Sequence, residues 1–441
     1  MNILHVAAHL GGGAGKAISG IALQGQRQFA DTHHVMLLQS PEKTGYVQAC
    51  LDGGVDVMLW DGGYDQLAWA DVVVVSWWNH PSMARFLRQF PPCAAGLVLW
   101  CHVNGCHYPY LPSSLAQAFD GILFTSPYSL RCPSWTEAER ENIAGRAAVV
   151  YGMGDFEPES MSVKSWESDS AEFCIGYVGT LNYGKIHPSF VEFCKAAYAR
   201  VPSVRFVLAG DRDARLEADI QSTGLWERFS FPGFVSDVPA LMRTFDVFGY
   251  LLNPEHYGTT ENVLLESMAC GVPTIVLRQN VEQYIVPRND SFLVSSPEEY
   301  GERIEFLWKN PLTLEEMGRQ AREHVLEQYS GSENAACFQK MCLRTAQTQS
   351  VLHDFSVVGD TPWQWFCFCL GSVERERFQR ALTAVRQGGE RGRKEALYLL
   401  RRCPPILRER RKSSLRHFAE VYPEDGILRL FAGLMDDLEV Q

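Results

Sequence analysis

The chain predicts an α/β protein: two successive doubly wound halves and then a helical C-terminal part. Three observations predict it. Short runs of Val, Ile and Leu without polar alternation recur between residues 2 and 335, separated by helix-like stretches. Such runs suit parallel strands buried on both faces. The polar, serine- and acid-rich stretch 155–170 interrupts the series without any period, and reads as an interdomain linker. After residue 335 the strand signals stop and long helical stretches follow. The expected domains are therefore 1–160, 171–335 and 336–441.

Composition narrows the function classes. A chain of 441 residues exceeds one ordinary domain. Hydrophobic residues at 46% and charged residues at 21% exclude a disordered chain. A formal net charge of -12 argues against nucleic acid as a partner. The 13 cysteines are odd in number and contain no C-x-x-C pair, so buried, reduced thiols are expected rather than zinc ligands or disulfides. Residues 1–6 (MNILHV) have no basic n-region or long apolar h-region, and no apolar run approaches the roughly 20 residues of a membrane span. The expected location is the cytoplasm.

In the first half, strands are expected at 2–8, 34–38, 55–59, 72–76, 96–102, 121–125 and 147–151, with a helix over 16–29. In the second half, strands are expected at 173–178, 205–209, 229–231, 247–252 and 274–276. Helices are expected at 188–199, 214–222, 238–243, 261–269 and within 297–328. Two such halves flank a cleft, the usual ligand site.

The stretch GGGAGKA, residues 11–17, follows the first strand. A Walker-type phosphate loop needs G-x-x-x-x-G-K-[ST]; here Leu10 stands at the first glycine and Ala17 at the hydroxyl position. The dinucleotide pattern G-x-G-x-x-G leaves Lys16 at its last glycine, and no acidic residue ends the next strand. What remains is a helix N-terminus whose glycines let a ligand approach and whose free amides attract an anion. Gly12, Gly13 and Lys16 are the candidates there.

The sharper signal is EHYGTTENVLLESMACGVP, residues 255–273. A strand ends, a loop with Gly258, Thr259 and Thr260 follows, and a helix capped by those threonines carries Glu266 in its second turn. This segment resembles the donor-binding element of retaining glycosyltransferases of the GT-B fold, family 4 (group 1), whose pattern is E-x7-E followed by A-M-A-x-G-x-P. The second half matches closely. The first departs, since Gly258 stands eight positions before Glu266. Either Glu255 supplies the first carboxylate with a three-residue insertion, or Glu261 supplies it from the helix start. YVGTLNYGKIHP, residues 177–188, resembles the family's G-R-L-x-x-x-K turn: Lys185 matches the lysine, and Thr180 replaces the arginine. The stretches 206–211 and 231–252 match further blocks, with Phe234 and Val235 facing the base. His102 in LWCHVNG stands where the family often places a histidine near the reacting sugar. The resemblance spans residues 1–340.

The resemblance implies a GT-B fold, with an acceptor-side first domain and a nucleotide-sugar-binding second domain facing a cleft. It also implies transfer of a sugar from a nucleotide-diphosphate donor, such as a UDP-sugar, with retention. Lys185, Lys16, the Thr259–Thr260 helix start and the Gly12–Gly13 amides would stabilise the departing diphosphate without a metal or other cofactor. Glu266 would bond the ribose, Glu255 or Glu261 the sugar hydroxyls, and His102 would steady the sugar. The acceptor is a glycan, a lipid-linked saccharide or a protein. Two other readings use the same fold: a nucleotide-sugar epimerase or hydrolase, and a catalytically weak scaffold or accessory protein, which the departures at Thr180 and Gly258 keep open.

The tail is unlike the rest. Residues 371–417 hold 14 Lys and Arg against 5 Asp and Glu, and follow the aromatic cluster WQWFCFCL at 363–370. One reading packs the aromatics on the main body and leaves the arginines solvated. The other makes 371–417 a docking surface for an acidic partner, for anionic lipid headgroups at the inner membrane face or for a phosphorylated acceptor.

Overall fold

A computed structural model describes residues 1–166, 172–348, 353–408 and 412–440. Residues 167–170 of the expected linker and 409–411 of the basic stretch lie outside the described residues. The chain divides into two compact units, Met1–Asp155 with Asn334–Gln441, and Phe156–Glu333.

The first unit holds seven parallel strands: β1 (Asn2–Ala7), β2 (Thr32–Leu37), β3 (Asp56–Leu59), β4 (Val72–Trp77), β5 (Gly96–Cys101), β6 (Gly121–Phe124) and β7 (Ala147–Val149). Their order is β3-β2-β1-β4-β5-β6-β7. Every residue of β4 and β5 is buried, which is why their sequences show no polar alternation. Winding runs outward from β1 to β3 and then reverses to β4. The chain connections thus part between β1 and β4, the place where such sheets open a ligand crevice.

The first helix differs from expectation. It spans Gly12–Phe29 and so starts inside the glycine run rather than after it. Gly11 is the extended N-cap, and Gly12 sits at φ 61°, a region that favours glycine. A Cβ at Gly15 would lie 2.5 Å from the Leu10 carbonyl carbon, and one at Gly20 would lie 2.4 Å from that of Gly154. These glycines are there for close packing of the helix on its own strand end and on the loop after β7.

The C-terminal residues, expected as a separate extension, share the first unit's cores. The helix Gly331–Ala346 lays Phe338, Met341 and Cys342 into one core with Ile3, Val74 and Trp100. Asn334 Nδ2 donates to the Tyr151 carbonyl at 2.9 Å, and the Tyr151 N–H donates to Asn334 Oδ1 at 2.8 Å. On the other sheet face, Phe366, Phe378, Phe418 and Phe431 join the core of Leu4, Val73 and Leu99. The aromatic stretch is thus core, with Trp363 stacked on Phe431 at 5.0 Å. Several of the tail's cations are structural. Arg416 is 3% exposed and pairs with Asp436 at 2.9 Å, and Arg375 and Arg377 donate to the carbonyls of Leu370 and Arg402.

The second unit holds β8 (Phe173–Val178), β9 (Val204–Ala209), β10 (Phe229–Gly233), β11 (Val247–Tyr250), β12 (Thr274–Leu277) and β13 (Leu293–Val294). All are parallel, in the order β10-β9-β8-β11-β12-β13, with the reversal between β8 and β11. The two-residue β13 is too short to leave a pattern in the sequence. The helical stretch 297–328 is two helices, Pro297–Lys309 and Pro311–Gln328, since Pro311 has no N–H to continue the first. All 13 cysteines are free, and 11 of them are buried. Among the described residues no helix is long and apolar enough to cross a membrane.

Candidate functional site

The second unit's switch point gathers the loops that follow β8 and β11. Asn253 joins them: its N–H donates to the Lys185 carbonyl, its Nδ2 to the Tyr183 carbonyl, and its Oδ1 accepts from the Glu255 N–H, all at 2.8–2.9 Å. This brings the Lys185 Nζ to 2.7 Å from Glu261 Oε1, while the Tyr250 hydroxyl donates to Glu261 Oε2 at 2.7 Å. Burial alone would push the Glu261 carboxyl up. Lys185, His256 and the Tyr250 hydrogen bond together hold it below its ordinary value. The result is a poised carboxylate and ammonium, both only partly shielded from solvent.

A second layer fixes this pair. His256 is 3% exposed and accepts the Gly258 N–H on Nδ1 at 2.9 Å, so its ring proton sits on Nε2, 2.8 Å from the fully buried Glu282 carboxylate. Glu261 Oε1 lies 4.0 Å from His256 Nδ1. One atom each of His256, Glu261 and Glu282 lie within 4.8 Å of one another, a spacing a divalent ion can bridge. Glu261 is already engaged by Lys185 and Tyr250 and His256 Nδ1 by the Gly258 N–H, whereas among the described residues the Glu282 oxygens accept no hydrogen bond. Tyr250, Asn253, His256 and Glu282 had no motif to announce them. Glu282 follows β12, and only the sheet brings it near the β11 loop.

The remaining expected residues spread along the same edge. The helix after the loop spans Asn262–Ala269, and its N-cap is Glu261, without a side-chain capping bond. The expected caps, Thr259 and Thr260, are instead buried in the preceding loop, at 7% and 9% exposure. Glu261's oxygens serve Lys185 and Tyr250 rather than the helix amides. Glu266 is half-buried in the second turn, and Glu255 is exposed. Thr180 is exposed and accepts the Tyr177 hydroxyl on its carbonyl at 3.0 Å. Past β10, Phe234 is 89% exposed and Val235 half-buried. In 211–213, Arg212 pairs with Glu217 and Asp213 caps the helix Ala214–Ser222.

In the first unit, His102 follows β5, beside Trp100 and Trp78 at ring distances of 4.6 and 6.1 Å. Burial pushes its imidazole down to about 3, so it is neutral at physiological pH. Gly12 and Gly13 form the first turn of their helix, and a Cβ on either would meet nothing within 4 Å. Lys16 is half-buried in the second turn of that helix. Its backbone oxygen and Cγ lie 2.6 and 2.8 Å from where a Gly154 Cβ would stand.

Two doubly wound units with switch-point ligand edges define the GT-B class, and solved structures agree in fold. A glycosyltransferase from Rickettsia africae superposes with a TM-score of 0.60 at 12% identity, covering 79% of this chain and 99% of that one. The HepE protein of Anabaena, solved with UDP and glucose, gives 0.58 at 15% identity, covering 78% and 100%. Sucrose-phosphate synthase from Thermosynechococcus elongatus gives 0.59 at 14%, covering 78% and 99%. Residues 161–324 match the family model of glycosyl transferases, group 1. That match lies within the second unit. A relative in Salmonella typhi, the Vi polysaccharide biosynthesis protein VipC/TviE, is 27% identical over 155 residues, 33% of this chain. The match spans about a quarter, 26%, of that protein's length.

Proposed function

We propose that the chain transfers a sugar from a nucleotide-diphosphate donor to a saccharide acceptor, with retention at the anomeric carbon. The observation that carries this reading is the Lys185–Glu261 pair at the β8–β11 switch point, 2.7 Å apart and within the residues that match the group 1 model. Negative charge develops on the diphosphate as the glycosidic bond breaks. A positioned ammonium favours that state, while a neighbouring carboxylate accepts hydroxyl hydrogen bonds from the sugar. On donor binding, Lys185 turns from Glu261 to the diphosphate, and Glu261 exchanges that partner for the sugar's hydroxyls. Glu266 takes the ribose, and the amides opening Asn262–Ala269 add their dipole. In the first unit, Gly12, Gly13 and Lys16 approach the anionic side of the substrate, and His102 steadies the reacting sugar.

The reading assigns no catalytic metal, because the group that could hold one is the same Glu261–His256–Glu282 network that orders the lysine. UDP is the first nucleotide to test, since HepE was solved with UDP. The Salmonella relative's name makes a bacterial polysaccharide the first acceptor class to test. The test is a thermal-shift panel of UDP, GDP and ADP, followed by turnover of the matching nucleotide sugar with and without acceptor. Stabilisation by one nucleotide is expected. Stabilisation by none overturns the reading. Release of free or epimerised sugar without acceptor replaces it with hydrolysis or epimerisation.

A further inference from the structure

The first unit has its own donor-rich corner, where β1 and β4 part. His9 follows β1 and His80 follows β4. The distant segment Lys412–His417 is fixed there: the Ser413 hydroxyl donates to the Trp78 carbonyl at 2.8 Å, the Tyr108 hydroxyl donates to the Ser413 carbonyl, and Ser413 is held at φ 69°. The rings of His80 and His417 lie 4.8 Å apart, and those of His9 and His80 lie 5.9 Å apart.

The tautomers follow from the backbone. Nδ1 of His9 accepts the Gly11 N–H at 3.0 Å, Nδ1 of His80 accepts that of Ser82 at 3.2 Å, and Nδ1 of His417 accepts that of Ser413 at 3.0 Å. The neutral rings of His80 and His417 therefore carry their protons on Nε2. His80 is 1% exposed, and among the described residues its Nε2 has no acceptor. The Lys412 ammonium donates to His9 Nε2 at 2.9 Å, so for His9 the Gly11 and Lys412 N–H groups compete for one ring lone pair. Glu42 Oε2 lies 3.5 Å from the Lys412 ammonium, and its charge also acts on the rings of His9 and His417. Burial holds the rings of His9 and His417 down to about 4 and that of His80 to about 2. The corner thus presents one cation among neutral N–H donors, beside an open helix N-terminus at Gly12 and Gly13.

We propose that this corner is an oxyanion subsite for the acceptor saccharide, in which Lys412 and the Nε2–H groups of His80 and His417 hold a carboxylate or phosphate carried by the sugar. A bound oxygen supplies the acceptor that His80 lacks and a charge for Lys412 to face. The word acceptor rests on the transferase reading above; the anion pocket does not.

The test is NMR of the imidazole N–H signals of the full chain, titrated with glucuronate, glucose 6-phosphate and glucose. At least one charged sugar is expected to shift the signals of His80 and His417, while glucose leaves them in place; the stronger of the two names the oxyanion. Lys412→Met is expected to weaken that binding about tenfold or more, and Lys412→Arg by less than about threefold. Glu42→Gln, which frees Lys412, is expected to leave it equal or tighter and serves if Lys412→Met does not fold. Equal shifts with glucose, no shifts with either charged sugar, undiminished binding by Lys412→Met, or weaker binding by Glu42→Gln overturns the proposal. UDP stabilisation is measured on the same sample: its absence overturns the transferase reading and leaves the anion result standing as a pocket of other use.

Discussion

Lys185 and Glu261 meet at 2.7 Å across the point where the second sheet reverses its winding. They are 76 residues apart and come from the loops after β8 and β11. A partly buried ammonium with one carboxylate partner is ready to exchange that partner for a diphosphate. The same exchange releases Glu261 toward the sugar.

The first prediction separates the two candidate carboxylates. Glu261→Gln keeps the shape and a link to Tyr250 but loses the charge facing Lys185, and is expected to lower kcat/KM about 100-fold, or roughly 3 kcal/mol in the transition state. Glu255, exposed to solvent, is expected to cost less than about threefold when changed to Gln. Steady-state kinetics on the two variants decides it, and a reversed order would move the sugar site to Glu255.

Lys185→Ala removes the cation facing the leaving group. We expect a loss of about 10²–10³ in kcat, the scale of one oriented donor to a developing oxyanion. The variant also strands Glu261, so a lower Tm is expected, with Lys185→Ala/Glu261→Gln regaining part of it. A double-mutant cycle read in both Tm and kcat separates the two effects.

Gly258 sits against the same pair. A Cβ there would stand 1.9 Å from Glu261 Oε1 and 2.7 Å from His256 Nδ1. The first of these atoms ends a side chain that can swing away, so Gly258→Ala is expected to fold while pushing Glu261 off Lys185. Turnover should fall at least about tenfold with a Tm change small beside that of Lys185→Ala. Unchanged turnover would show that Glu261's placement does not matter.

The first unit is expected to be acid-labile. Burial, before any other cause, lowers His9, His33 and His417 to about 4, against an ordinary value of 6.5. Above pH 6.5 these rings are neutral in both states, and the full stability is present. Between 6.5 and 4 the unfolded chain takes up protons that the folded unit refuses, so stability falls as the pH drops through this window, by on the order of 1–3 kcal/mol per ring. Urea denaturation between pH 4 and 7 measures it. A flat profile would mean the rings are not held neutral.

Much of this was legible in one dimension. The apolar runs gave β4, β5 and β8 within a residue or two, because a strand buried on both faces has few polar positions to blur its pattern. Lys185 and Glu266 could be named because each sits inside a local motif. The start of the first helix was misplaced because glycine signals a turn, and only the approach to Leu10 and Gly154 reveals that Gly15 and Gly20 are packing positions. Thr259 and Thr260 resembled caps by composition, yet the loop turns them inward.

By itself the sequence determined the alternation of strands and helices, the two halves and the motif of the donor-binding segment, all of which depend on neighbours within a few residues. Only the tertiary structure decided which carboxylate meets Lys185, that His256 and Glu282 stand behind it, and that Lys412 and His417 return to the end of β1. Those contacts join loops from separate strands or segments some 400 residues apart, such as His9 and Lys412, 403 residues apart in the chain. Their pairing is set by strand order in the sheets and by shared cores, which no local pattern encodes.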